Sequence, residues 1–432
     1  MATAQKTMDP QVEAQLRLFQ EMADGYEPRD FAVRMWDGTT WEPASGQPAS
    51  FTLILNHPGS LRKMFWPPRP LTTGMAYIYD DFNVEGDLVS FCFFCRHLTD
   101  LKTRSSLWRR LRLGWRLWNL PRVERPRTGR QAAQMSGQVH SIERDRAAIL
   151  YHYDTSNEFF EKALGPRVVY TSGVWDNPDE DLETAQTRKL DYLFRKLRLK
   201  PGERLLDIGC GWGAPLIHAV KNYGAIGHGV TLSNKQAEWA RIKVRQAGIE
   251  ERCKIEVRDY RELDEREPFD KIVMMEVGEH FGADQFEGYF KKCFDLLRPG
   301  GALMIQQITL FGHAGMPAAR EFSQHYVFPD GELVPVSLLC RDAEKAGFDV
   351  RDVESIREHY PLALKHWLAN VEANHDELVR ITDEATYRTF RLYFAGARFG
   401  FLTNVYNLHH LLVVKPDNCD SGMPLSRRDW YA

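Results

Sequence analysis

The stretch LLDIGCGWGAP, Leu205 to Pro215, sets an acid and then glycines at 209, 211 and 213 directly after an apolar run. A strand followed by a glycine turn and a helix presents backbone N–H groups and the positive end of a helix to a ligand. Gly209, Gly211 and Gly213 permit close backbone approach. The spacing is G-x-G-x-G, whereas the dinucleotide fingerprint is G-x-G-x-x-G. A nicotinamide dinucleotide also requires an acid at the end of the second strand. Here that strand ends GVTLSNKQ, with Thr231 and Ser233 in place of a carboxylate. Asp207, before the loop, and Asp259, ending the third strand, suit a ligand with a cationic amino-acid end and an adenosine end. S-adenosylmethionine has both.

Other residues carry chemistry with a plainer alternative beside it. Glu279 and His280 follow the apolar run FDKIVMMEV; a carboxylate there either faces a site or caps the next helix. His280 serves a site or a structural hydrogen bond equally well. His152, Tyr153 and Asp154 line a site or form a helix-entry turn with Asp154 near an N-cap. Tyr360 precedes Pro361, a natural helix start, and so also reads as packing. Trp212 reads as packing. Cys92 and Cys95 form a CxxC without a second pair, and His409 and His410 alternate along a late strand; neither pattern makes a metal site.

The elements that must position these residues are legible from about residue 140. RLLDIGC, GHGVTLS, CKIEVRDY, FDKIVMMEV and GALMIQQIT read as buried strands with helices between several of them, which argues for an α/β, doubly wound, parallel sheet. AQTRKLDYLFRKLRL reads as a helix, the stretch 366–401 as a long helical insertion, and NVYNLHHLLVVK as a late strand. Residues 1–100 read as a small mixed α+β domain. Between 101 and 140 lies a basic segment. On a helix, Leu107, Trp108, Leu111, Trp115 and Trp118 share one face and Arg109, Arg112 and Arg116 the opposite flank. Such a segment either lies on an anionic membrane surface or packs its tryptophans on a neighbouring domain; Arg110, Leu113 and Leu117 break the pattern.

The 432 residues allow two or three domains, and a net charge of −3 does not point to nucleic acid. No apolar run reaches the ~20 residues of a membrane span. The first residues lack a secretory leader pattern, and seven scattered cysteines suit reduced thiols in the cytoplasm.

The phrases YHYDTSNEFFEKAL, VVYTSGVW, LKPGERLLDIGCGWG, GVTLSNKQAEWA, EVRDYREL, FDKIVMMEVGEHFG, LRPGGALMIQQI, YVFPDGELVP and HYPLALKHWLANVEAN occur in one order. In that order they resemble the cyclopropane-fatty-acid synthase family of S-adenosylmethionine-dependent methyltransferases, which includes the mycolic acid cyclopropane synthases. The resemblance covers about residues 145–415. Residues 50–95 also resemble the N-terminal lipid-binding domain of the bacterial, phospholipid-acting branch. The implied organisation is an N-terminal lipid-binding-type domain at 1–100, a basic amphipathic linker at 101–140 and a catalytic domain at 141–432. The catalytic domain would be a class I methyltransferase sheet with a helical acyl tunnel.

The resemblance implies that Tyr170 and Thr171 touch the methionine end of the cofactor, with Asp207, Gly209, Gly211 and Gly213 around its loop. Thr231 and Gln236 would lie near the ribose and adenine, with Asp259 and Tyr260 closing the adenine side. Family members hold a bicarbonate ion as base, cradled by Glu, Tyr, an Ile amide, Cys and His. Glu279, Tyr360 and Ile308 match three of these; Ser172 stands for the Cys and Gln306 for the His. A further family cysteine aligns with Ala397. Ser and Gln still donate hydrogen bonds, but Gln cannot titrate. The implied reaction converts a cis double bond of a phospholipid acyl chain to a cyclopropane through a carbocation. A methyl- or methylene-branched product is the close second. A small-molecule methyltransferase and a non-catalytic lipid carrier are the rivals. The implied place is the cytoplasm, against the inner face of the membrane, and a homodimer is left open.

Overall fold

The computed structural model describes residues 9–44, 47–104, 106–264, 267–311 and 320–431. The first eight residues, within the stretch read for a leader, lie outside them. The chain divides into two units: Met1–Gln131 with Ala318–Ser323 and Asp383–Phe399, and Ala132–Pro317 with Gln324–Thr382 and Gly400–Ala432. The stretch 101–131 thus groups with the N-terminal residues, as do 383–399 from the expected helical insertion.

The first unit runs α1 (Pro10–Met22), β1 (Phe31–Arg34), β2 (Thr40–Trp41), β3 (Phe51–Leu55), α2 (Ser60–Phe65), α3 (Pro70–Ile78), β4 (Phe82–Gly86), α4 (Leu88–Arg104) and α5 (Leu107–Trp118). Its sheet has the order β2-β1-β3-β4. β3 alternates buried and half-buried residues, so one face meets a core of Phe19, Phe31, Phe51, Phe91 and Phe94. Two arginines of the 383–399 segment are built into this unit. Arg388 donates to the carbonyls of Tyr77 and Phe82 at 2.7 Å, and Arg391 to the Tyr77 hydroxyl at 2.7 Å and the Val84 carbonyl at 3.1 Å. These bonds explain why the expected tunnel helix does not stay wholly with the catalytic sheet.

α5 corrects one detail of the basic segment. Three of its arginines, Arg109, Arg112 and Arg116, have partners within the protein. Arg112 pairs with Glu21, Arg116 reaches Glu21 at 2.5 Å, and Arg109 donates to the Glu21 carbonyl at 3.0 Å. Leu117, which breaks the amphipathic pattern, is buried, so the helix docks by that side. Trp108 and Trp115 remain 83% and 69% exposed.

The second unit carries α6 (Ile142–Tyr153), α7 (Asn157–Leu164), α8 (Leu182–Leu197), β5 (Arg204–Ile208), α9 (Ala214–Tyr223), β6 (Ile226–Thr231), α10 (Asn234–Gln246), β7 (Cys253–Val257), β8 (Phe269–Met275), α11 (Phe286–Leu296) and β9 (Leu297–Leu310). After α12 (Arg320–Tyr326), which straddles the division, come α13 (Val336–Lys345), β10 (Asp349–Ser355), α14 (Tyr360–Ala373) and α15 (His375–Ile381). α16 (Glu384–Leu402), which belongs to the first unit up to Phe399, and β11 (Tyr406–Val414) of the second unit end the series. The sheet order is β10-β11-β9-β8-β5-β6-β7, parallel except where β11 meets β9 and β10. The strand order reverses between β5 and its neighbours, and a ligand crevice opens there at the carboxyl ends. The strands are apolar on both faces because helices cover both. Leu205, Val273 and Met304 pack in one cluster; Leu206, Ile272 and Leu303 pack in the other.

Among the described residues no helix is long and apolar enough to cross a membrane.

Candidate active site

β5 delivers Asp207 to the crevice, and the chain then turns through Gly209 and Gly213. Gly209 has φ +74°, and a Cβ there would lie 2.3 Å from Val277 Cγ2. Gly213, at φ +84°, starts α9. The crevice holds about 1040 Å³, counting its open mouth. Nine of the ten residues expected around a cofactor line it: Tyr170, Thr171, Asp207, Gly209, Gly211, Thr231, Gln236, Asp259 and Tyr260; Gly213 does not.

The wall is charged in a way that suits a cationic amino-acid end. Asp207 is 1% exposed, and its Oδ2 is buried without a hydrogen-bond partner. Burial pushes its carboxyl up to about 7, against the pull of the neighbouring Lys189 ammonium. An unmatched buried carboxylate oxygen costs free energy that a bound cation would offset. The donor-poor oxygen and the glycine turn together fit S-adenosylmethionine. At the far end, Thr231 donates to Gln236 Oε1 at 2.8 Å. Asp259 is less open than the sequence suggests: Arg261 binds both its oxygens, at 2.9 and 2.7 Å. Asp154 ends α6 as its C-cap and accepts from Ser233 Oγ at 2.9 Å, in the short turn before Ser156 caps the next helix.

Beneath the crevice the expected anion cradle assembles, with an occupant that sequence reasoning missed. The Tyr360 hydroxyl donates to Glu276 Oε2 at 2.6 Å. Gln306 Nε2 donates to Glu276 Oε1 at 2.6 Å, and the Ser172 N–H approaches the same oxygen at 3.5 Å. The Ser172 hydroxyl turns away to the Gly173 carbonyl, so it does not replace the thiol it stands for. Tyr360 does more than pack, although its ring also stacks on Phe401 at 4.3 Å. Glu279 caps no helix: its Oε1 accepts the Ile308 N–H at 2.8 Å, and its Oε2 is buried without a partner. Burial and the adjacent Glu276 charge push Glu279 upward; burial also raises Glu276, opposed by its donors and Lys189.

Two features set the direction of Glu276. Its backbone has φ +53°, a left-handed conformation that a side chain adopts at a cost. Gln306 is oriented from behind by His410, whose Nε2 lies 3.0 Å from Gln306 Oε1. Burial drives His410 well below its ordinary pKa, so the ring is neutral and its Nε2–H donates. The amide nitrogen of Gln306 is left to face Glu276. His409 meets Thr309 Oγ1 at 2.8 Å. Lys189, fully buried, donates to Thr171 Oγ1. The sequence held one signal for Glu276: two glutamates, not one, follow the strand in MMEVGEHF.

Aromatic rings close the rest. His152 stacks on Tyr170 at 5.7 Å and lies 4.0 Å from the Phe328 ring. Tyr153 sits 5.9 Å from Trp212 and 6.0 Å from His280, and Tyr170 5.5 Å from Trp367. Trp212 packs, as expected, and also donates to Asn157 Oδ1 at 2.8 Å. Burial lowers His280 to about 4, so it is neutral at physiological pH. A π-rich, net acidic site stabilises positive charge developing on a substrate.

A family model described as mycolic acid cyclopropane synthetase matches residues 140–411. A probable fatty acid methyltransferase of Pseudomonas putida is 33% identical over 403 residues, 92% of this chain and 95% of that one. A second protein of that description, from Mycobacterium tuberculosis, is 37% identical over 72% of this chain and 71% of its own. A solved mycolic acid cyclopropane synthase complexed with SAH and CTAB superimposes with a TM-score of 0.59 at 29% identity. That match covers 62% of this chain and 97% of the other.

Proposed function

The chain belongs to the mycolic acid cyclopropane synthetase family of S-adenosylmethionine-dependent methyltransferases, and from that premise we propose that it modifies a cis double bond in a phospholipid acyl chain. The observation that carries this reading is the pairing of a crevice ending at Asp207 with a buried, aromatic-walled carboxylate site. An N- or O-methyl acceptor with its own lone pair needs no such dry chamber. An alkene does, because water would quench the cation it becomes.

Bound S-adenosylmethionine supplies an electrophilic methyl group on a sulfonium. Asp207 holds its cationic amino end, and Tyr170 and Thr171 border the methionine portion. The aromatic walls exclude water and stabilise the charge left on the acyl chain. A base then removes a proton, and closure of the freed electron pair gives a cyclopropane. A branched product is the second reading. It is favoured by Gln306, which cannot relay a proton as the family histidine would. The fatty acid named for the full-length Pseudomonas relative supports the substrate class.

The membrane is the source of the acyl chain in this reading. The exposed Trp108 and Trp115 face of α5 would enter the interface, with the arginines serving mainly to hold the helix on Glu21. The test is transfer of radiolabel from methyl-labelled cofactor to vesicles of cis-unsaturated phospholipid, with soluble amines in competition. Label confined to the amines would refute the proposal.

A further inference from the structure

We propose that Glu276 is the base of this enzyme, a protein carboxylate seated where the family resemblance places a dissolved bicarbonate ion. The inference rests on the alkene-methylation reading above.

The argument is one of donors. Five groups were expected to cradle an external anion: Glu279 and four donors, Tyr360, Gln306, residue 172 and the Ile308 amide. Three of the donors already point at the Glu276 carboxylate. The fourth is bound by Glu279. A bicarbonate ion would find its donors taken and would meet the charge of two neighbouring buried carboxylates, Glu276 and Glu279, with Lys189 as the nearby buried cation. The cradle does not fit it.

The same geometry fits a resident base. Both Glu276 oxygens accept hydrogen bonds, which is the pattern of an ionised carboxylate. Glu276 also lines the crevice proposed for the cofactor. His410 and Gln306 are positioning residues that fix its orientation. The hydrogen bonds from Tyr360 and Gln306 favour its ionised form, while burial, the larger effect, raises its affinity for a proton.

The step balances as follows. The π pair of the double bond forms a C–C bond to the transferred methyl carbon as the C–S bond breaks and its pair stays on sulfur. The adjacent chain carbon is left electron-deficient. Glu276 takes H⁺ from the new methyl group, and the released C–H pair closes the three-membered ring. The protonated carboxyl then returns its proton to solvent after product leaves.

Three measurements test this. Wild-type turnover on cis-unsaturated vesicles should be the same in CO₂-free buffer and with added bicarbonate. Glu276→Gln should lose about 10²–10⁴ of turnover while its affinity for S-adenosylhomocysteine, by calorimetry, changes less than about threefold. Independently of turnover, ¹³C-bicarbonate titrated into the S-adenosylhomocysteine complex should show no bound NMR signal with wild type and a bound signal with Glu276→Gly. Wild type that needs bicarbonate, a bound signal in wild type, or full turnover by Glu276→Gln would each overturn the proposal. No lipid labelling by wild type, with the NMR result as expected, would instead refute the substrate reading and leave the occupied cradle intact.

Discussion

Cofactor binding should be linked to a proton through Asp207. Its carboxyl is carried from the ordinary 3.8 to about 7 by burial. At about 1.4 kcal/mol per pH unit, that is about 4 kcal/mol of unfavourable ionisation in the folded protein. The sign follows from the direction of the change. An acid raised on folding holds its proton more tightly in the native state. Its contribution is therefore harmless below about pH 4, and stability is lost as pH rises from there through about 7. A cation placed at the unpartnered Oδ2 reverses this by favouring the ionised form. Below about pH 7 each ligand bound should then release one proton, and the dissociation constant should fall about tenfold per pH unit. Above about 7 the curve should flatten, before the ligand's own α-amino group titrates near about 7.7–8.0. Calorimetry from pH 5.5 to 7.5, in two buffers of different ionisation enthalpy, counts the protons directly. Asp207→Asn should abolish the slope, whereas Glu276→Gln should keep it. A pH-independent wild-type constant, or an unchanged slope in Asp207→Asn, would refute the assignment of the cationic end to this carboxylate.

Three other outcomes are expected. Gly209→Ala forces a side chain into a left-handed residue and against Val277 Cγ2; it should lose about 1–3 kcal/mol of stability and most cofactor affinity, read by thermal melts with and without S-adenosylhomocysteine. Tyr360→Phe removes a hydrogen bond to a charged group worth about 1.5–3 kcal/mol; kcat should fall about 10- to 100-fold with the cofactor constant unchanged. Trp108→Ala with Trp115→Ala should weaken vesicle sedimentation at least about tenfold, with little effect of raising salt from about 0.1 to 1 M, because the neighbouring arginines are already paired with Glu21.

The catalytic sheet was legible in the sequence because strands buried on both faces are written as short apolar runs between glycine turns. β10 was not read: its sequence, DVRDVES, carries charges along an edge strand, and only Asp352 is buried there. The faces of α5 were legible from helical spacing. The partner of its arginines was not, because Glu21 lies more than 80 residues away in sequence. Distance along the chain also hid the docking of Arg388 and Arg391 onto the carbonyls of the first unit. The cradle residues were found by resemblance, and they do converge. What they converge on was hidden, because the aim of Glu276 depends on a positive φ and on a histidine behind Gln306. Neither is written in local pattern.

The most direct measurement pairs purified protein and cis-unsaturated phospholipid vesicles with cofactor carrying a fully deuterated methyl group, and examines the released fatty acids by mass spectrometry. The account predicts an acyl chain that has lost its double bond, gained one carbon and kept two of the three methyl deuteriums in a ring. A lipid pool without deuterium, from protein shown to bind the cofactor, would contradict it.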